Sequence, residues 1–134
     1  MKVPFFSPSF SRDTYSKVND VLHSGWITTG KYAKIFEEKF ASLFSKNIYS
    51  ISVNSATAGL HLSLEALGIK KGDQVITSTI TFTATAEVIR YLGATPVLVD
   101  INPNDYCLDI NKVKAAINEK TKAIIPVHFA GHSA

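Results

Sequence analysis

The sequence contains a single cysteine, Cys107, among its 134 residues. One thiol excludes an internal disulfide and fits a reducing compartment. Long runs of one charge are missing too. Twelve Lys and two Arg are scattered, and Lys70–Lys71 is the longest basic run. With a formal net charge of only +3, there is no footprint for a nucleic acid. No apolar stretch approaches the roughly 20 residues that cross a bilayer, so no membrane segment is expected. The opening MKVPFFSPSF has one Lys, two prolines and no long apolar centre, unlike a secretory leader. His23 and His132 lack acidic or Cys partners at metal-ligand spacing, so no metal site is expected. A cytoplasmic protein is the default that these absences leave.

What is present reads as one globular domain, or part of one, with 46% hydrophobic and 19% charged residues. Residues 3–10 carry Pro4 and Pro8 and read as an extended arm. A helix is expected over about 12–23, with Tyr15, Val18 and Leu22 on one face. The loop 24-SGWITTGK-31 holds the only Trp. A second helix over 31–45 repeats Tyr32, Phe36, Phe40 and Leu43 at helical spacing, with Lys34, Glu37, Glu38 and Lys39 on the wet side. The chain then alternates. Strands are expected at 48–53, 74–79, 95–101 and 123–129. Helices are expected at 56–67 (buried), 82–92 (closed by Gly93) and 110–119 (built on Ile110, Val113 and Ile117). The strands are β-branched and almost continuously apolar, which predicts burial of both faces and a mainly parallel sheet between helices, an α/β/α sandwich. The sequence stops just after an apolar strand-like run, whose edge would want a following helix. We therefore expect a fragment of a longer protein.

Ligands of such sheets bind at the carboxyl ends of the strands, where helix N-termini also point. Three stretches fall there: 53-VNSATAG-59, 79-TITFTAT-85 and 127-VHFAGH-132. In the first, unpaired helix N–H groups and small side chains (Ser55, Ala56, Ala58, Gly59) would admit a phosphate, with Ser55 and Thr57 adding hydroxyls. The alternative is an ordinary Asn or Ser cap on a core helix. Its spacing is neither GxxxxGK[ST] nor GxGxxG, so it supports no triphosphatase or dinucleotide site. Gly59 inside a helix suggests close packing. Phe82, at a strand-to-helix junction, is either a core ring or a face for a flat cofactor. Trp26 reads as an anchor for its loop, whose Thr28, Thr29 and Gly30 would also suit a ligand. His128 and His61 read as structural histidines, and Asp100 as a loop cap.

Taken together, 3-VPFFSPS-9, 24-SGWITTGK-31, 54-NSATAGLHLSLEALGI-69, 72-GDQVITSTITFTATA-86, 93-GATPVLVDINP-103 and 121-TKAIIPVHFAG-131 resemble, in order, the DegT/DnrJ/EryC1/StrS family. These are pyridoxal-phosphate sugar aminotransferases of the type I aminotransferase fold. The resemblance makes residues 1–134 the N-terminal part of the cofactor-binding large domain, without its downstream portion or the C-terminal small domain. It implies that Ala56 and Thr57 hold the cofactor phosphate through backbone N–H groups, with Ser55 and the Thr57 hydroxyl nearby. Phe82 would stack on the pyridine ring. Trp26, Thr28, Thr29 and His128 would lie near the amino donor or sugar. It further implies a homodimer with shared sites, moving an amino group from an amino acid, usually glutamate, to a keto nucleotide-sugar. Cell-surface polysaccharide biosynthesis is a typical setting.

The chemistry also needs a Schiff-base Lys and an acid at the pyridine nitrogen. Family members carry both later in the chain, and no Lys here substitutes: Lys70 and Lys71 lie in a turn, Lys31, Lys34 and Lys39 on a wet helix face, and Lys112, Lys114, Lys120 and Lys122 around the last helix. No catalytic residue is therefore assigned within 1–134. Lys31 stands where many relatives have Pro, a change expected only to loosen the loop. The same fold admits a sugar 3-dehydratase, in which His replaces that Lys, or a non-catalytic partner protein. An unrelated α/β domain is the generic alternative.

Overall fold

The computed structural model describes Pro4, residues 6–45 and residues 47–134. Val3 and Phe5 of the expected arm lie outside the described residues; Pro4 and residues 6–10 have no regular structure. The chain divides between Ser52 and Val53 into two compact units.

The first unit holds α1 (Arg12–Ser24) and α2 (Lys31–Ser42). Gly25 ends α1 in the left-handed conformation, φ 68°, and its N–H bonds to Leu22 O. The helical spacings are as expected, but Tyr15, Val18, Leu22, Phe36 and Phe40 all remain exposed. Along α2 and its exit, the rings of Phe36, Phe40 and Phe44 follow one another at 6.1 and 5.4 Å. Helix α2 stops at Ser42, and Leu43 and Phe44 form a turn. The strand expected at 48–53 is absent: residues 48–53 run as open chain. A strand exists only where a neighbour completes its ladder. Here the Ser52 N–H and hydroxyl both donate to Glu37 Oε1, at 2.7 and 2.8 Å.

The second unit runs α3 (Ala56–Ala66), β1 (Gln74–Ser78), α4 (Thr83–Tyr91), β2 (Thr95–Val99), α5 (Ile110–Ala116) and β3 (Thr121–Ile125). Its three strands are parallel in the order β2-β1-β3. Alternation along β1 builds two core layers. Val75 joins Leu64 of α3 and Val88 and Ile89 of α4, while Ile76 joins Val99 and Val113 of α5. Helices thus cover both faces of a parallel sheet, the α/β/α layering expected. Burial of both faces holds fully only for the central β1; β2 and β3 flank it and stay partly exposed.

Helix α3 is less buried than its leucines suggest. Only Leu64 is buried, Leu60 is half-buried, and Leu62 and Leu67 are exposed. Its Gly59 is not demanded by packing, because an added Cβ would meet Val53 Cγ2 at an ordinary 3.5 Å. Helices α3 and α4 share one ending. Gly68 and Gly93 are left-handed (φ 74° in both). The next amides, of Ile69 and Ala94, reach back to Leu64 O and Ile89 O. Helix α5 ends earlier than residue 119 because Asn118 competes for the backbone: its Oδ1 accepts the Lys120 N–H while its own N–H goes to Thr121 Oγ1. Strand β3 stops before Pro126, which has no N–H for a ladder.

Candidate functional site

Ser55 caps α3. Its Oγ accepts the Ala58 N–H at 3.1 Å, and its carbonyl accepts the Gly59 N–H. The hydroxyl proton points to Asn54 Oδ1 across a long 3.4 Å. The amides of Ala56 and Thr57 have no acceptor among the described residues. The capping and anion-site readings therefore coexist. One side chain satisfies the third amide and leaves two, flanked by an alanine methyl, at the positive end of the helix dipole.

Phe82 is the N-cap residue of α4 and is 80% exposed. Among the described residues the ring is therefore not part of the core. The turn that aims it is wired by its own hydroxyls: Ser78 Oγ accepts the Ile80 N–H at 3.1 Å, and Thr81 donates to Thr85 Oγ1 at 2.8 Å. Buried Ser78 and Thr85 fix the two ends of the turn, leaving the ring on the outside. Helices α3 and α4 pack together, and His61 of α3 meets Tyr91 of α4 edge-on at 5.7 Å. His61 is thus a packing residue, as expected.

Beyond β2 the chain folds into a hairpin over residues 100–109. Ile101 pairs with Leu108, the Asn102 N–H bonds to Cys107 O, and Asp105 Oδ1 accepts the Cys107 N–H. At its root Asp100 pairs with Lys112 at 2.8 Å and accepts the Ile101 N–H. Lys112 and the Ile101 amide hold the Asp100 carboxyl below the usual carboxylate range, and the same bond raises Lys112. Asp100 is an ion-pair and loop-cap residue, and every described Lys is exposed, so none has the partly buried setting of a Schiff-base Lys.

His128 follows β3 and is exposed, so any structural role it has is outside the core. Its Nδ1 accepts the Ala134 N–H at 3.0 Å, so its proton sits on Nε2. A single helical turn over Phe129–Gly131 follows, with Ala130 at φ 50°. Sequence reasoning missed what lies against this turn. The Tyr106 ring stands 5.6 Å from that of Phe129, and Cys107 Sγ lies 3.7 Å from His132 O. No sequence signal marks this meeting, because the left-handed backbone of Tyr106 shows only in the structure.

Trp26, Thr28 and Thr29 belong to the first unit. The indole closes its own loop by donating to Thr29 O at 2.8 Å. It also lies where a Cβ on Gly30 would fall, 2.8 Å from Cδ1, so glycine is required there. This is the loop anchor expected of Trp26. A hollow of about 630 Å³ beside it is lined by Asp20, Trp26, Thr28, Lys31 and Tyr32. Burial, then the neighbouring Asp20, raise the Tyr32 pKa. Among the described residues no group of His, Cys, Asp and Glu could hold a metal ion, and no helix is long and apolar enough to cross a membrane.

A model of the DegT/DnrJ/EryC1/StrS aminotransferase family matches residues 8–134. The chain belongs to this family. Among solved structures, Spr1654 of Streptococcus pneumoniae, a candidate sugar aminotransferase, matches in its PMP form. It is 42% identical with a TM-score of 0.89, over 100% of this chain and 34% of that one. A GDP-4-keto-6-deoxymannose-3-dehydratase with a trapped PLP-glutamate geminal diamine is 31% identical with a TM-score of 0.88, over 99% of this chain and 36% of that one. MJ1066 of Methanocaldococcus jannaschii, an uncharacterized protein, is 48% identical over 97% of this chain and 33% of its own length. The chain thus spans about a third of the length of these relatives. All the candidate residues, from Trp26 to His128, fall inside the family match.

Proposed function

We propose that this chain is the N-terminal part of the cofactor-binding large domain of a cytoplasmic aminotransferase. That enzyme would use pyridoxal phosphate to move an amino group, from glutamate, to a keto nucleotide-sugar destined for cell-surface polysaccharide or a related sugar product. The observation that carries the reading is the pair of amides at Ala56 and Thr57, unpartnered among the described residues, on a helix that packs against α4, whose N-cap is the exposed Phe82.

These residues suit the cofactor's phosphate and ring. A phosphate monoester takes main-chain N–H donors at a helix start, where the dipole adds about 0.3–1 kcal/mol, up to roughly 2 when partly buried. The Thr57 hydroxyl can donate a further bond. Ser55 contributes chiefly by holding the Ala58 amide, which fixes the direction of the other two. Phe82 would cover one face of a flat ring and exclude water from it. Pyridoxal phosphate, when bound, supplies the electron sink for amino transfer. The lysine that holds it, and the acid at its nitrogen, are assigned outside residues 1–134. Trp26, Thr28, Thr29 and His128 are proposed to face the amino donor or sugar. The exposed apolar stripes of α1 and α2 suit cover by the rest of a homodimer.

The likeness to the GDP-4-keto-6-deoxymannose-3-dehydratase supports a second reading, a sugar 3-dehydratase on the same fold. Incubating the full-length protein with pyridoxal phosphate, glutamate and a panel of 4-keto and 3-keto nucleotide-sugars separates the two. Formation of an amino sugar with 2-oxoglutarate is the expected result. Loss of the C3 hydroxyl without amine in the sugar would favour the dehydratase, and no turnover of any panel member would count against both.

A further inference from the structure

We infer that Tyr106 is a positioning residue, whose ring fixes the segment 127–132 after β3 and thereby sets how well the site takes its substrates. The second half of this inference rests on the aminotransferase reading above. Tyr106 carries φ 59°, a left-handed backbone that L side chains other than Asn and Asp rarely adopt. A hairpin needing only a turn at this point would carry Gly or Asn. The strained residue is instead a large aromatic, and its ring is spent on Phe129.

The hairpin is well suited to act as a post. Its rungs at Ile101–Leu108 and Asn102–Cys107 are closed, Tyr106 N–H bonds to Asn102 O, and Cys107 is buried. Asp109 then caps α5 through the Asn111 and Lys112 amides. The segment it meets is less secure. The last ladder pair of β3 is Thr77 with Ile125. Past it the chain is held by turn bonds, Gly131 N–H to His128 O and His132 N–H to Phe129 O, around Ala130 at φ 50°. The Tyr106 ring and the Cys107 thiol tie that turn to the hairpin, and His128, its first residue, is the side chain proposed to face substrate.

The test compares Tyr106→Gly with Tyr106→Phe in the full-length protein loaded with pyridoxal phosphate. Glycine accepts the left-handed backbone and deletes the ring, while phenylalanine keeps the ring. In Tyr106→Gly, amide exchange across 127–132 should quicken and KM for the keto nucleotide-sugar or amino donor should rise roughly tenfold, with kcat, cofactor absorbance and unfolding midpoint little changed. Tyr106→Phe should match the parent protein in all of these. Unchanged exchange in Tyr106→Gly overturns the inference. So does faster exchange with an unchanged KM, or a Tyr106→Phe variant as impaired as Tyr106→Gly. If the parent protein retains no pyridoxal phosphate, the aminotransferase reading fails, and the exchange comparison still decides whether Tyr106 holds the segment.

Discussion

Ala56 and Thr57 offer main-chain donors, and such donors are disabled by what stands before them. Thr57→Glu places a carboxylate at the helix start, where it is favourable for the fold by about 0.3–1 kcal/mol, yet it competes for the same amides and repels a phosphate. Full-length Thr57→Glu should therefore fold normally and lose its cofactor. Bound pyridoxal phosphate absorbance that survives gel filtration would remove the site from this helix. Phe82 gives the complementary experiment. Because the ring is 80% exposed, Phe82→Ala should leave the unfolding midpoint of the apo protein unchanged. It should weaken cofactor binding roughly two- to tenfold, the worth of one aromatic contact. Equal losses in both would return the ring to a packing role. The cap at Ser55 was legible as one of two readings, since small polar residues before an apolar helix suit a cap or an anion. The exposure of Phe82 was not, because an aromatic after a strand reads the same whether it turns inward or outward.

Elements begin and end here for local reasons, and two of those endings can be compared. Gly68 and Gly93 share φ 74°, so alanine at either pays the left-handed cost of roughly 1–2 kcal/mol. Only at Gly93 would the new Cβ also crowd a neighbour, Lys71 Cβ at 3.3 Å; at Gly68 it meets open space. Gly93→Ala should lower the denaturant midpoint more than Gly68→Ala, and indistinguishable midpoints would show that conformation alone sets the cost. Glu37 links α2 to the chain at Ser52. The Ser52 N–H, then its hydroxyl, lower the Glu37 pKa. A carboxyl depressed in the folded state stabilises above its unfolded value, and the contribution is lost as pH falls through the lower folded value. The Ser52 amide resonance should hence move in acid, below the ordinary glutamate range, and that titration should vanish in Glu37→Gln. A titration that persists in the variant would assign it to another group. The expected strand at 48–53 failed on this same point. β-Branched alternation states what a segment could do, while the ladder partner decides what it does.

At the scale of the molecule, the layered α/β plan was legible because a run such as Val75–Ile76 is too apolar for a strand with a wet face, and β1 is indeed buried on both faces. The strand order was not, since β2 and β3 are equally able to flank β1 and tertiary packing chooses. Nor was the meeting of Tyr106 with Phe129, which joins loops far apart in sequence and leaves no periodic trace. A final consequence follows from the grip proposed at the start of α3. Its donors belong to the peptide bonds, so no side-chain truncation can subtract them. Alanine scanning would be silent at position 56, already an alanine, and would register at 57 only a missing hydroxyl. Genetic damage to such a pocket should come through added bulk or a wrong charge, and a hunt that only trims side chains would walk past it.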